Sequence, residues 1–376
     1  YDNTRHQTGA NEIGSNYVSA ADGVYVMTPQ SCVKLDHATG RTAMEFGLPA
    51  DPPRRTRWGF ITVWDKYLIA AVAPAQDGNW PSYSSSSETL VVMDRQDGQV
   101  LWRRRADQSF RHNTIVAGNG RIFCIDGIGS AKRDALRRRG LPVAGAPALY
   151  ALDAATGKVL WQAGKDVFGT WLGYSAEHDV LLQAGSNSTD RAADEAKKGM
   201  IVYRAADGKV LWKDLELAYN GPCMLRHDTI ITNSKPSGSG FALDLMTGKR
   251  RTWSDGLTGK PVDWRYSRGH GCNTAVACEN LLTFRSAAAG YVDLTGGPGT
   301  GNLGGFKSGC TSNLIPADGV LSAPDYTRTC ICSYQNQSSL AMVYMPDVEQ
   351  WTFLNVGKPD MGSYRSQADF EAAEAK

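Results

Sequence analysis

No apolar run in this 376-residue sequence approaches the roughly 18 to 20 residues that a membrane-spanning helix needs. Charge of one sign is missing too. The 40 Lys and Arg against 38 Asp and Glu leave a formal net charge of +2, which makes no case for a nucleic-acid or acidic-membrane partner. The one basic run, Arg133 to Arg139, supplies too little counterion release to hold DNA and reads as a solvated loop. There is no G-x-x-x-x-G-K-[ST], H-E-x-x-H or G-x-S-x-G, and no C-x-x-C-H for covalent c-type haem. No segment keeps a helical period over a useful length before the terminal EAAEAK, which sets α/β folds aside. Eight cysteines are too few for a disulfide-stapled miniprotein, although they gather toward the C-terminal end. The chain begins at Tyr1 rather than Met, so removal of an N-terminal signal or anchor stays open.

What the sequence does contain is a repeat. CVKLDHATGRTAMEF (32–46), LVVMDRQDGQVLWRR (90–104), LYALDAATGKVLWQ (149–162), MIVYRAADGKVLWK (200–213) and FALDLMTGKRRTW (241–253) share one design. An alternating apolar strand ends near an Asp, a short turn closes on Gly, and a second strand ends in Trp or Phe. Asp36, Asp153 and Asp244 can accept turn amides, with Thr39, Thr156 and Thr247 doing so more weakly. Gly40, Gly157 and Gly248 supply the positive φ that closes the hairpin. Trp102, Trp161, Trp212 and Trp253 recur at one position, where each ring can pack against the next unit.

Each such turn follows a second hairpin, as in SNYVSAADGVYVM (15–27), HNTIVAGNGRIFCI (112–125), CNTAVACENLLTF (272–284) and SNLIPADGVLSAP (312–324). Looser copies lie at 58–71, 172–184 and 221–233. Two hairpins make a four-stranded sheet. The spacing predicts an all-β chain, a single β-propeller of about seven four-stranded blades with eight also compatible, over 1–355, and a C-terminal tail over 356–376.

These units resemble the PQQ-binding-like repeats of quinoprotein-like β-propellers, from about Asn16 to Trp351. The stretch 304–341 is more narrowly similar to secreted propellers of planctomycete-type bacteria. The resemblance implies an extracytoplasmic setting, periplasmic, cell-surface or secreted. It settles no activity, because such repeats serve quinone-dependent dehydrogenases and outer-membrane assembly lipoproteins alike. It leaves the cofactor open. Against a bound PQQ, the dehydrogenases have eight blades and an adjacent cysteine pair, and this chain has no Cys-Cys dipeptide.

In a propeller the inner strands all start at one mouth of the central channel, so aligning the blades turns distant positions into neighbours. The alignment gathers Arg57, Trp58, Arg111, His112, Asn113, Trp171, Tyr219, Asn220, His270 and Asn273 as a candidate ligand-binding mouth of donors and aromatic faces. Cys272, Cys310, Cys330 and Cys332 should converge beside it. Disulfides bracing the junction of blades six and seven are the first expectation, with free thiols open. The Cys-x-Cys at 330 and 332 is tighter than zinc-site spacing, so no metal is assigned. Cys32, Cys124 and Cys223 read as small buried hydrophobes, and GGPGTGNLGG (296–305) as a flexible loop between blades.

The leading functional expectation is a binding or assembly module of the cell envelope, or a secreted one, taking a small polar molecule, a glycan or an envelope protein at the mouth. The alternative is an enzyme, either a redox quinoprotein-like oxidoreductase or a carbohydrate-active lyase. It would use His112 or His270 as acid/base, with Arg57, Arg111 or Arg268 holding an anionic group. A third is a surface component that self-associates.

Overall fold

The computed structural model of the protein describes residues 17–28, 30–49, 56–74, 86–128, 130–143, 145–185, 196, 198–234, 238–271, 273–303, 314–324 and 339–343. The chain folds as a β-propeller, and the described residues form seven blades, each an antiparallel meander running outward from its inner strand. Inner strands begin at Tyr17, Thr56, Val116, Trp171, Asn220, Val276 and Ile315. Blades 1 to 6 have four strands; three strands of blade 7 are described, ending with Leu340–Val343. The outer strand of blade 2, Val100–Arg111, runs on far enough for Phe110 to pair with Asp126, so blades 2 and 3 share one continuous sheet.

Stacking of the blades creates the core. Six apolar clusters lie one between each successive pair of blades from 1 to 7, for example Tyr25, Phe46, Ile61 and Leu68 between blades 1 and 2. A fully buried side chain of this kind stabilises by about 1.5–3 kcal/mol, far more than any single turn bond. Cys32, Cys124 and Cys223 lie in these layers as free thiols. Burial pushes the Cys32 thiol up to about 12 and moves Cys124 and Cys223 upward as well, so all three stay protonated and inert at neutral pH.

The repeat turns close as their residues require. Asp36, Asp153 and Asp244 each accept the amide of the Thr three residues on at 2.8 to 2.9 Å and its hydroxyl at 2.7 to 2.8 Å. Gly157 takes φ +68°, and a Cβ there would sit 2.6 Å from the Trp102 ring of the preceding blade. The indole N–H of Trp102 donates to Ala154 O at 2.8 Å, that of Trp161 to Ala205 O and that of Trp212 to Leu245 O at the same distance. Each tryptophan thus caps the turn of the next blade, and glycine is needed there for contact as well as for φ.

Two local expectations are corrected, and one element is added to the repeat. The run Arg133 to Arg139, expected as a solvated loop, lies almost wholly in a helix, α1 (Ser130–Arg138), inserted between the second and third strands of blade 3. Its alanine, leucine and arginine residues favour a helix, Arg137 and Arg138 face the negative end of its dipole, and Gly140 at φ +64° closes it. The 5-residue step from Leu141 N to Leu136 O completes that cap. The glycine-rich stretch expected between blades instead begins as a turn inside blade 6 and contributes its fourth strand, Gly301–Asn302. Blade 5 carries an extra hairpin, Thr252–Ser254 with Pro261–Asp263, whose turn repeats the Asp–Thr–Gly device with Asp255, Thr258 and Gly259.

Candidate functional site

Every blade turns one face toward the start of its inner strand and the other toward its tight hairpins. The first is called here the entry face, the second the turn face. At the entry face the second strands of blades 3, 4 and 5 each end in or beside a polar residue after an apolar run: RIFCID, VLLQA and TIITN. Asp126 is 4% exposed, and its carboxylate accepts the amides of Asp107, Gln108 and Ser109 at 2.6 to 2.9 Å, fixing the approach to Arg111. Gln183 is wholly buried; its Oε1 accepts the amides of Phe168 and Gly169 at 3.0 Å, and its Nε2 donates to the Tyr203 hydroxyl. Asn233 accepts the Ser234 amide at 3.0 Å and that of Ala275, in blade 6, at 3.4 Å. In blade 6 Asn273 does the corresponding work, its Oδ1 accepting the Arg285 amide at 2.9 Å. None of the other three was nominated from sequence. The available signal was a lone polar residue closing an apolar strand, which only a buried terminus makes meaningful.

The nominated mouth residues fall at the entry face but divide into two groups. Trp58 packs in the layer between blades 1 and 2. His112 is wholly buried in a single helical turn, stacked on Phe60 at 5.7 Å, with its Nε2 2.7 Å from the Ser87 hydroxyl. The Tyr219 hydroxyl accepts the Gly185 amide and donates to Gly199 O at 2.8 Å, joining the two ends of the connection between the second and third strands of blade 4. Arg268 donates to Arg285 O at 2.7 Å, to Asn273 O at 2.6 Å and to Asn273 Oδ1, tying the last strand of blade 5 to blade 6. These side chains build the mouth from behind. Arg57, Asn113, Trp171 and Asn220 are half-buried and His270 is exposed, while Arg111 is buried. Cys272, Cys310, Cys330 and Cys332 lie outside the described residues.

Arg111 also lines a cavity of about 650 Å³. Its walls are the end of the second strand of blade 3, α1, Gly164 and Asp166 to Thr170 on the approach to blade 4, and Ala196, Lys198 and Gly199. No metal-binding group of three or more His, Cys, Asp or Glu occurs among the described residues.

Residues 30–167, from within blade 1 through blade 3, match the family described as outer membrane protein assembly factor BamB. No curated protein sequence matches the chain. Among solved structures it is similar to BamB from Moraxella catarrhalis, at 13% identity over 82% of this chain and 90% of that one, with a TM-score of 0.44. It is also similar to a europium-containing methanol dehydrogenase (13% identity, 76% and 63% coverage, TM-score 0.45) and to quinohemoprotein alcohol dehydrogenase from Comamonas testosteroni (14%, 67% and 46%, 0.40). The chain spans less than two thirds of either dehydrogenase. The repeats of residues 30–167 are similar to those of quinoprotein-like propellers. Two of the mouth side chains are already engaged by protein groups, His112 by Ser87 and the Arg268 guanidinium by blade 6 carbonyls and Asn273.

Proposed function

We propose that the protein is an extracytoplasmic binding or assembly module, secreted or of the cell envelope, which engages a ligand or partner protein through its entry face. One observation carries this reading. Four buried polar side chains, Asp126, Gln183, Asn233 and Asn273, hold backbone amides at that face and fix the inner-strand approaches of blades 3, 4 and 6. Such preorganisation lowers the ordering cost of binding at whatever the strand starts present. Those starts present Asn113, Trp171, Asn220 and His270, a mixed aromatic and hydrogen-bonding surface suited to a polar partner. The likeness of blades 1 to 3 to an assembly factor's repeats accords with a protein partner.

Catalysis has less support. A general acid or base must reach its substrate within hydrogen-bond distance, and of the two candidate histidines His112 is wholly buried against Phe60 and Ser87, which leaves His270, exposed, as the one that could serve.

A photo-crosslinking residue placed in turn at Asn113, Asn220 and His270, and as a control at Met246 on the turn face, tests the reading in the source cell. Discrete adducts from the first three, in the extracytoplasmic fraction, are expected. Adducts from Met246 alone, or a cytoplasmic location, would overturn it.

A further inference from the structure

The cavity between blades 3 and 4 is separate in kind from the channel mouth. It is a side chamber roofed by α1, an insertion that the repeat does not require. The insertion is held in place on both flanks by one side chain: Gln108 Nε2 donates to Gly145 O and Ala146 O, both at 3.0 Å, and its Oε1 accepts the Ile128 amide at 3.3 Å. The facing wall is fixed independently, because Gln183 holds the amides of Phe168 and Gly169. A Cβ on Gly199, at φ +94°, would stand 3.0 Å from the Phe168 ring, so that ring has a defined seat.

The lining has a sign. Arg111, Arg133, Arg137 and Lys198 face the cavity against Asp134 and Asp166, so four cations meet two anions. The two carboxylates are already engaged. Asp166 lies 2.8 Å from Lys213, which holds its carboxyl below the usual range, and Asp134 lies 3.5 Å from Arg137 at the exposed rim. Lys198 is paired with Glu216 outside. Arg133 is different: its Nε is buried and has no hydrogen-bond partner among the described residues. A guanidinium N–H held away from water without an acceptor is costly, and an anionic oxygen is the acceptor it matches best. Ile125, Val167, Phe168 and Leu215 make the rest of the wall apolar. A volume of about 650 Å³ is that of a site for a small organic molecule.

We infer that this chamber binds a small organic anion, a carboxylate or phosphate ester carried on an apolar body, with Arg133 contacting the anionic group and Phe168 and Leu215 the apolar part. The proposal stands apart from the channel-mouth reading in its contacts, since Arg133, Phe168 and Leu215 take no part in that reading, although Gln183 braces both.

Titration calorimetry of the whole chain with 1-naphthoate, 1-naphthyl phosphate and neutral 1-naphthamide tests it. Saturable one-to-one binding of at least one anion is expected, with the amide weaker by about tenfold or more, as loss of a charged hydrogen bond implies. The two anions distinguish a carboxylate from a phosphate site. Arg133→Gln should weaken the bound anion about tenfold, and Ala146→Trp, which places an indole at the exposed rim, should block it. Because residues 133 and 146 are half-buried and exposed, thermal unfolding of both variants should match that of the parent. Absence of saturable binding by both anions, equal binding of the amide, or full affinity in folded Arg133→Gln would overturn the proposal.

Discussion

On the turn face, blades 1, 3 and 5 repeat one short device, an Asp that accepts the amide and hydroxyl of a Thr three residues on, followed by a glycine at positive φ. On the entry face the corresponding tasks fall to Asp126, Gln183, Asn233 and Asn273, which accept backbone amides 12 to 42 residues away, Ser234 apart. The turn-face bonds are local and exposed, so water replaces them when they break. The entry-face bonds are buried, and a lost partner leaves an amide with none. Regularity therefore marks the face where each residue contributes little, and irregularity the face where each contributes much.

Asp126→Ala should break this comparison most severely. It would leave three amides without their acceptor, for a loss of about 3 kcal/mol or more by denaturant titration, whereas Asp126→Asn, which keeps one acceptor oxygen, should lose less. Gly157→Ala should cost about 2 kcal/mol, because its Cβ would meet the Trp102 ring and the backbone stays at φ +68°. Asp153→Ala, which removes only exposed turn bonds, should cost about 1 kcal/mol or less. A cost for Asp153→Ala equal to that of Asp126→Ala would erase the distinction between the faces.

The smallest effect is expected at His227, which joins three blades on the turn face. Its Nδ1 lies 3.1 Å from Glu177 and its Nε2 2.7 Å from Glu279. Hydrogen bonds to these carboxylates raise its pKa above the usual 6.5. A raised value in the folded state means that its stabilisation is complete below about pH 6.5 and is lost as pH rises through the folded value. His227→Gln should therefore lower the melting temperature slightly at pH 6 and not at pH 9, and an equal shift at both would remove the ion-bridge explanation.

Blade number, strand order and the turn residues were legible because they arise from short-range periodicity and from bonds within a few residues. The inner-strand starts were placed within about four residues, and Trp171 and Asn220 fell on the observed starts themselves. Side-chain roles at the mouth were less legible. Alignment nominated Tyr219 and Asn273 for the mouth but could not reveal that each binds backbone groups of neighbouring segments. The run around Arg137 was mistaken for loop because charge was weighed over the helix-forming residues and the glycine cap at Gly140.

From the linear sequence alone came the propeller, its repeat turns and the chain of tryptophans, since each follows from neighbours along the strand or from one fixed period. Only the tertiary structure decided which polar residues are buried. Desolvation gives Asp126 and Gln183 their importance, and desolvation depends on what other blades bring beside them. The chamber under α1 belongs to the same category: Arg111 and Lys198 stand 87 residues apart in the chain, and the packing of blade 3 against blade 4 makes them one site.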